Sequence, residues 1–244
     1  MSDMESIQIN LNSKFADRYV NNSLCNAVFE LPNINIPNEH HIHISVVNCI
    51  IPYSFYNINL SNNILIYIVN GVSYTVNITI GNYNAIQLAL YFQSNMAGFN
   101  CIYNSITNKY TFSSTANFSF SPISSCLKIL GFVYTDSVNN SLTSFNCVNL
   151  QSVQCLHIQS NFLTGNINSS NIYLQNTLAT IPVNSQPNSN IVYENNGSVF
   201  TTNLYSNILS EISIKIVDQD NNIIDTNGLH WSITLQMDIV DFVN

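Results

Sequence analysis

Two short stretches hold side chains with the types and spacing of a metal site. The first, Asp218-Gln219-Asp220-Asn221-Asn222, has the D-x-D-x-N opening of a calcium loop. An EF-type loop needs glycine at its sixth position for a sharp turn and a bidentate glutamate at its twelfth. Counted from Asp218, those positions hold Ile223 and Leu229. The apolar/polar alternation on both sides favours two strands joined by a turn at Asp218–Asn222, where Asp and Asn side chains bond nearby backbone. The second stretch is Glu39-His40-His41-Ile42-His43. On an extended chain His41 and His43 share a face, and neutral imidazoles suit zinc or copper. A structural zinc site takes four ligands, and no distant Cys/His pair stands ready to complete one. No metal or other cofactor is therefore expected, with His41 and His43 as the weak metal candidates. The plain alternative is a polar strand face. Were several copies to meet at a symmetry axis, protonation at about pH 6 would make these histidines repel.

Other chemistry is poorly provided for. There is no G-x-S-x-G, no phosphate loop and no dinucleotide fingerprint. Cys155 and His157 share one short strand without an Asn or Asp to orient the imidazole. The 13 carboxylates show no telling pairing. No enzyme activity is expected. The aromatic candidates Tyr53, Phe55 and Tyr56 follow a proline in CIIPYSFYNIN. They either contact a sugar or partner subunit or fold into the core.

The elements that must position these residues are strands, because side chains alternate between faces along a strand. Ile42, Ile44 and Val46 alternate with polar neighbours, as do Val72, Tyr74, Val76, Ile78 and Ile80. Tyr110 with Phe112 and Phe118 with Phe120 give shorter cases. Ile212, Ile214 and Ile216 follow, and then Trp231, Ile233, Leu235, Met237 and Ile239. One face is apolar and the other neutral polar, the pattern of antiparallel sheets packed face to face. Two segments differ. Asn84 and Gln87 form a capping box before Ile86, Ala89 and Leu90 at helical spacing, with Gly98 at the close. Ser121, Pro122 and Gly131 fit the N-cap, first position and end of a short helix. Asn-rich connections are expected at 136–145, 164–171, 184–190 and 194–198. With only 7 glycines, asparagine must supply many left-handed turn positions.

Composition limits the partners. Of 244 residues 46% are hydrophobic and only 7% charged, with 42 asparagines and a formal net charge of −8. The average charged fraction is about 25%. The spread aromatics and periodic apolar runs argue against a disordered Asn-rich tract. Four lysines and one arginine, unclustered, argue against nucleic acid, which is held by cations neutralising phosphates, and against a basic membrane patch. The start MSDMESIQIN lacks the basic and apolar regions of a secretory signal. No membrane span is expected, since no run of about 18 apolar residues occurs. The six cysteines have wide, irregular spacings without CxxC and read as free, buried thiols.

Several pieces in order carry a resemblance: IQINLNSKFADRYVNNSLCNAVFELP, CIIPYSFYNIN, SYTVNITIGNYNAIQLALYF, NKYTFSS, CLKILGF and SEISIKIVDQDNNIIDTNGLHWSITLQMDI. In layout the chain resembles the penton, or minor capsid, proteins of virophages and polinton-like viruses. The resemblance implies a single jelly roll that forms a homopentamer at icosahedral fivefold vertices, beside a double-jelly-roll major capsid protein. It implies a virion protein assembled in the host cytoplasm, with no catalytic residues to carry over. The low charge agrees independently, because obligate interfaces disfavour charge. The expected fold is all-β, a single jelly-roll β-sandwich with a small α/β insertion: jelly roll over 1–71 and 136–244, insertion over 72–135, the latter on the outer surface. Two rivals differ in class. A trimeric receptor- or glycan-binding fibre head would use Tyr53 and Tyr56. A metal-dependent hydrolase on a β-sandwich would use His41 and His43.

Overall fold

The computed structural model describes residues 5–35, 40–133, 138–151, 153–161, 176–195, 202–204 and 208–241. It divides into two compact units, one made of Met1–Phe55 with Val153–Asn244 and the other of Tyr56–Ser152. The chain opens the first unit with β1 (Glu5–Asn12), β2 (Arg18–Tyr19), β3 (Asn26–Asn35) and β4 (His40–Pro52). The second unit holds β5 (Ile64–Val69), β6 (Val72–Asn77), helix α1 (Ala85–Asn95), β7 (Phe99–Asn104), β8 (Lys109–Phe120) and β9 (Asn139–Thr143). The chain then completes the first unit with β10 (Cys155–Gln159), β11 (Thr177–Pro182), β12 (Asn190–Glu194), β13 (Thr202–Leu204), β14 (Ile208–Val217) and β15 (Ser232–Asp241).

In the first unit one sheet has the order β1-β15-β4-β12, with β13 also on β4, and the other has the order β11-β10-β14-β3-β2. All pairings are antiparallel. Strands adjacent in sequence mostly alternate between the sheets, and the last strand lies between the first and β4. This is the double Greek key of a jelly roll. The alternation in the sequence is what builds its core. Ile42, Ile44 and Val46 on β4, Ile212, Ile214 and Ile216 on β14, and Ile233, Leu235 and Met237 on β15 are all buried in one cluster. Trp231 caps it: its indole N–H donates to the Leu24 carbonyl at 2.8 Å, and its ring meets Phe29 edge-on at 6.0 Å.

The second unit interrupts the jelly roll between β4 and β10. Its sheet runs β6-β5-β8-β7, with β9 also on β8. It is wider than the 72–135 expected. Ile64–Val69 pairs with β6 in unbroken register, and Asn139–Thr143, expected as a polar connection, adds to β8. Tyr110–Phe112 and Phe118–Phe120 belong to one strand rather than two.

Helix α1 has the expected capping box: Gln87 N–H donates to Asn84 Oδ1 at 2.8 Å, and Asn84 N–H to Gln87 Oε1 at 2.9 Å. Its buried stripe is Leu88, Ala89 and Phe92. Ile86 and Leu90, read from the sequence as its apolar face, are exposed. Residues 122–131 form successive turns instead of a regular helix. They still end as expected at Gly131, where Phe132 N–H reaches the Leu127 carbonyl and Gly131 N–H the Lys128 carbonyl, a Schellman closure. Phe112, wholly buried, meets Phe92, Phe120 and Phe132 at 5.1–5.8 Å between ring centres.

Asparagine does the turn work that glycine does elsewhere. Every non-glycine residue with positive φ among the described residues is an asparagine, eight in all. Among the described residues no helix is long and apolar enough to cross a membrane.

Candidate functional site

The D-x-D-x-N stretch is a closed turn between β14 and a returning segment. Asp218 Oδ1 accepts from the backbone N–H groups of Asp220 at 2.9 Å and Asn222 at 2.8 Å. The Asn222 side chain donates to the same carboxylate. Asn221 takes positive φ, and Val217 bridges Ile223 on the return. The carboxylate is thus spent on its own loop, as turn chemistry requires.

The histidine stretch lies on β4 beside β15. His43 pairs in register with Asp238, and His41 with Val240. The His41 side chain lies outside the described residues. His43 is half-buried. Asp238 accepts from Ser6 Oγ at 2.7 Å and from Gln236 Nε2 at 3.0 Å. Four residues further along the pair, Thr234 Oγ1 donates to Asn10 Oδ1 at 2.8 Å. Along β1 and β15 this outer face therefore carries neutral side chains bonded across strands or to Asp238, while Ile50 and Val192 are exposed further across the same sheet. Among the described residues, no three His, Cys, Asp or Glu side chains come together as metal ligands would.

The outer face of the other sheet carries more charge. Arg18 pairs with Glu211 at 2.8 Å. A polar cleft of about 260 Å³ is lined by Asn26, Asn161, Asn176, Ser213 and Lys215.

The structure separates the three aromatic candidates. Tyr53 and Phe55 are buried in the jelly-roll core, stacked at 4.4 Å, and burial pushes the Tyr53 phenol up. They are core residues rather than surface contacts. Tyr56 is 39% exposed. Proline-led loops with alternating aromatics fit either outcome, so sequence alone did not separate them.

Four of the six cysteines are buried as expected and unsuited to nucleophilic work, whereas Cys147 is exposed and Cys155 half-buried. All six are free. Burial pushes the thiols of Cys25, Cys49, Cys101 and Cys126 up to about 12. Cys155 Sγ lies 3.4 Å from His157 Nε2, and His157 Nδ1 lies 2.9 Å from Thr180 Oγ1. The resulting chain has the outline of a dyad with an orienting hydroxyl, a partner that sequence reading missed because Thr180 sits on the neighbouring strand. Its electrostatics run the wrong way. Burial, and then the Asp218 carboxylate, raise the Cys155 thiol, and burial lowers the His157 imidazole. Both shifts favour the neutral pair over the thiolate–imidazolium form that attacks.

What the described residues present is a scaffold with polar, sparsely charged faces. Among solved structures, the fold matches a selenomethionine-labelled crystal structure of the mavirus penton protein, with a TM-score of 0.52 at 11% identity. The match covers 97% of this chain and 100% of that one. This chain has the fold of a penton protein. The sequence-level resemblance to virophage pentons and the jelly-roll expectation both agree with it. No protein-family model matches the sequence, and no curated protein is detectably similar to it.

Proposed function

We propose that this chain is a minor capsid protein that forms the pentameric vertex of an icosahedral virus particle. The reading is carried by one observation: the fold corresponds to that of the mavirus penton protein over 97% of this chain and all of the other. A partial likeness would reflect only the commonness of jelly rolls. Here the insertion between β4 and β10 falls within the matched length.

Surface chemistry supports the reading. A vertex subunit meets copies of itself and the surrounding shell. Each charge buried in such contacts must find a partner or lose solvation. Ser6, Asn10 and Thr234 instead offer neutral groups already ordered across strands, and Gln236 one ordered along its own strand. Such groups hydrate a free subunit and exchange water for protein partners at low cost. The neighbours in this reading are four further copies and a double-jelly-roll major capsid protein, met in a particle assembled in the host cytoplasm. The role is structural and needs neither cofactor nor catalysis.

Native mass spectrometry of the purified chain tests the oligomer. Five copies of the 27.3 kDa chain are expected. Three copies would favour a fibre head, and a persistent monomer that never enters particles would overturn the vertex role.

A further inference from the structure

Among the described residues β1 pairs with β15 alone, and its other edge has no strand partner. Ser13 N–H donates to the Trp231 carbonyl at 3.0 Å, continuing the register that pairs Leu11 with Ile233 and Ile9 with Leu235. In an antiparallel pair, bonded and non-bonded residues alternate. The odd-numbered residues of β1 therefore bond β15, and Ser6, Gln8 and Asn10 present N–H and C=O to the other side. Among the described residues no strand takes them up, and all three are exposed.

The core is also unfinished there. Leu11 is 4% exposed, but Ile7 and Ile9, on the same inward row, are only half-buried. Sheet edges are normally guarded by charge, proline, bulges or brevity. β2 is two residues long and includes Arg18. β11 ends in Pro182 and meets β10 through a register shift at Ile158/Gln159. β1 runs eight residues without a register shift and without charge or proline from Ser6 to Asn12.

We propose that the β1 edge is a strand-addition site for an extended arm of a neighbouring capsid chain. The arm carries apolar side chains at every second position and no carboxylates between them. The free N–H and C=O row fixes the arm as a strand. Ile7 and Ile9 set its apolar period, since an added strand in phase lays its inward side chains beside theirs. Asp238, one strand in on the outer face and bonded to Ser6, together with a net charge of −8, disfavours an acidic arm. Pairing of β1 with β1 of a second copy is in phase but twofold. It would tie vertices to each other rather than to the shell. The identity of the donor rests on the vertex reading, whereas the edge chemistry does not.

The probe is a labelled synthetic peptide, TVQITVN, whose apolar residues alternate as the proposal requires and whose sequence does not occur in this chain. The control is TNQTVVI, of the same composition without the alternation. Fluorescence anisotropy on the full-length protein should show saturable binding of TVQITVN at least about tenfold tighter than the control. Gln8→Pro removes only an edge-facing N–H, so it should leave the urea midpoint and native mass unchanged and weaken binding at least about tenfold. A TVQITVN peptide N-methylated at alternate amides should fail likewise, which keeps the test sound if Gln8→Pro misfolds. Equal binding of both peptides, undiminished binding to a folded Gln8→Pro, or full binding of the N-methylated peptide would overturn the site. Self-association that Gln8→Pro dissolves would assign the edge to a second copy and overturn the arm. A native mass other than five copies would sink the vertex reading while leaving the peptide result to stand.

Discussion

Gly131→Ala should damage this protein more than an ordinary left-handed glycine would. Gly131 has φ +79°, and a Cβ built on it would lie 2.3 Å from the Asn146 carbonyl oxygen and 2.9 Å from that of Cys147. Gly71 has the same φ of +79° with nothing within 4 Å. The conformational cost of alanine, about 1–2 kcal/mol, is therefore common to both. The overlap is not. Relieving it means moving the Asn146 backbone, which is tied by its N–H to the Gly131 carbonyl at 2.8 Å. Losing such a bond costs about 1 kcal/mol, and overpacking adds about 1–3 kcal/mol. Gly71→Ala should lose about 1–2 kcal/mol and Gly131→Ala about 3–6 kcal/mol. Urea titrations followed by circular dichroism measure both. Equal midpoints for the two variants would refute the packing of the 122–132 turns against Asn146.

Phe112→Ala removes the wholly buried ring that joins Phe92, Phe120 and Phe132; thermal unfolding should show a loss of about 3–5 kcal/mol. Asp218→Ala should cost about 1–2 kcal/mol through its two backbone acceptor bonds, and millimolar calcium should not shift the melting point of the unaltered protein. Alkylation followed by mass spectrometry should label exposed Cys147 first and spare Cys25, Cys49, Cys101 and Cys126 until the protein unfolds. Those four thiols are raised to about 12 in the fold against an ordinary value of about 8.5 when unfolded. Their contribution is intact below the unfolded value, and stability should fall as pH rises from about 9 toward 12, because the unfolded chain releases protons first. Cys101→Ala should flatten that decline, as alkaline urea titrations would reveal.

The jelly roll was legible because its strands have unequal faces. The apolar phases of β4, β14 and β15, read from sequence, are the buried phases of the structure. The capping box of α1 was equally plain, being a local signal. Its buried face was not, because Ile86 and Leu90 have the helical spacing of Leu88 and Phe92 and only the sheet beneath selects between them. β7 was not singled out in the sequence; its exposed Ile102 blurs the contrast between faces. β9 was hidden by its polar composition, NNSLT, which pairing with β8 overrides. The polar clusters were least legible. Asp238 meets Ser6 across 232 positions of sequence, and Thr180 reaches His157 from a neighbouring strand. Register creates both contacts, and register is a property of the folded sheet.

The most direct measurement is an icosahedral reconstruction of the particle that carries this chain. A vertex protein predicts five copies of the jelly roll around each fivefold axis, surrounded by the major shell protein. Density at those axes that rejects this fold, or copies of it found only in fibres projecting from the shell, would contradict the assignment.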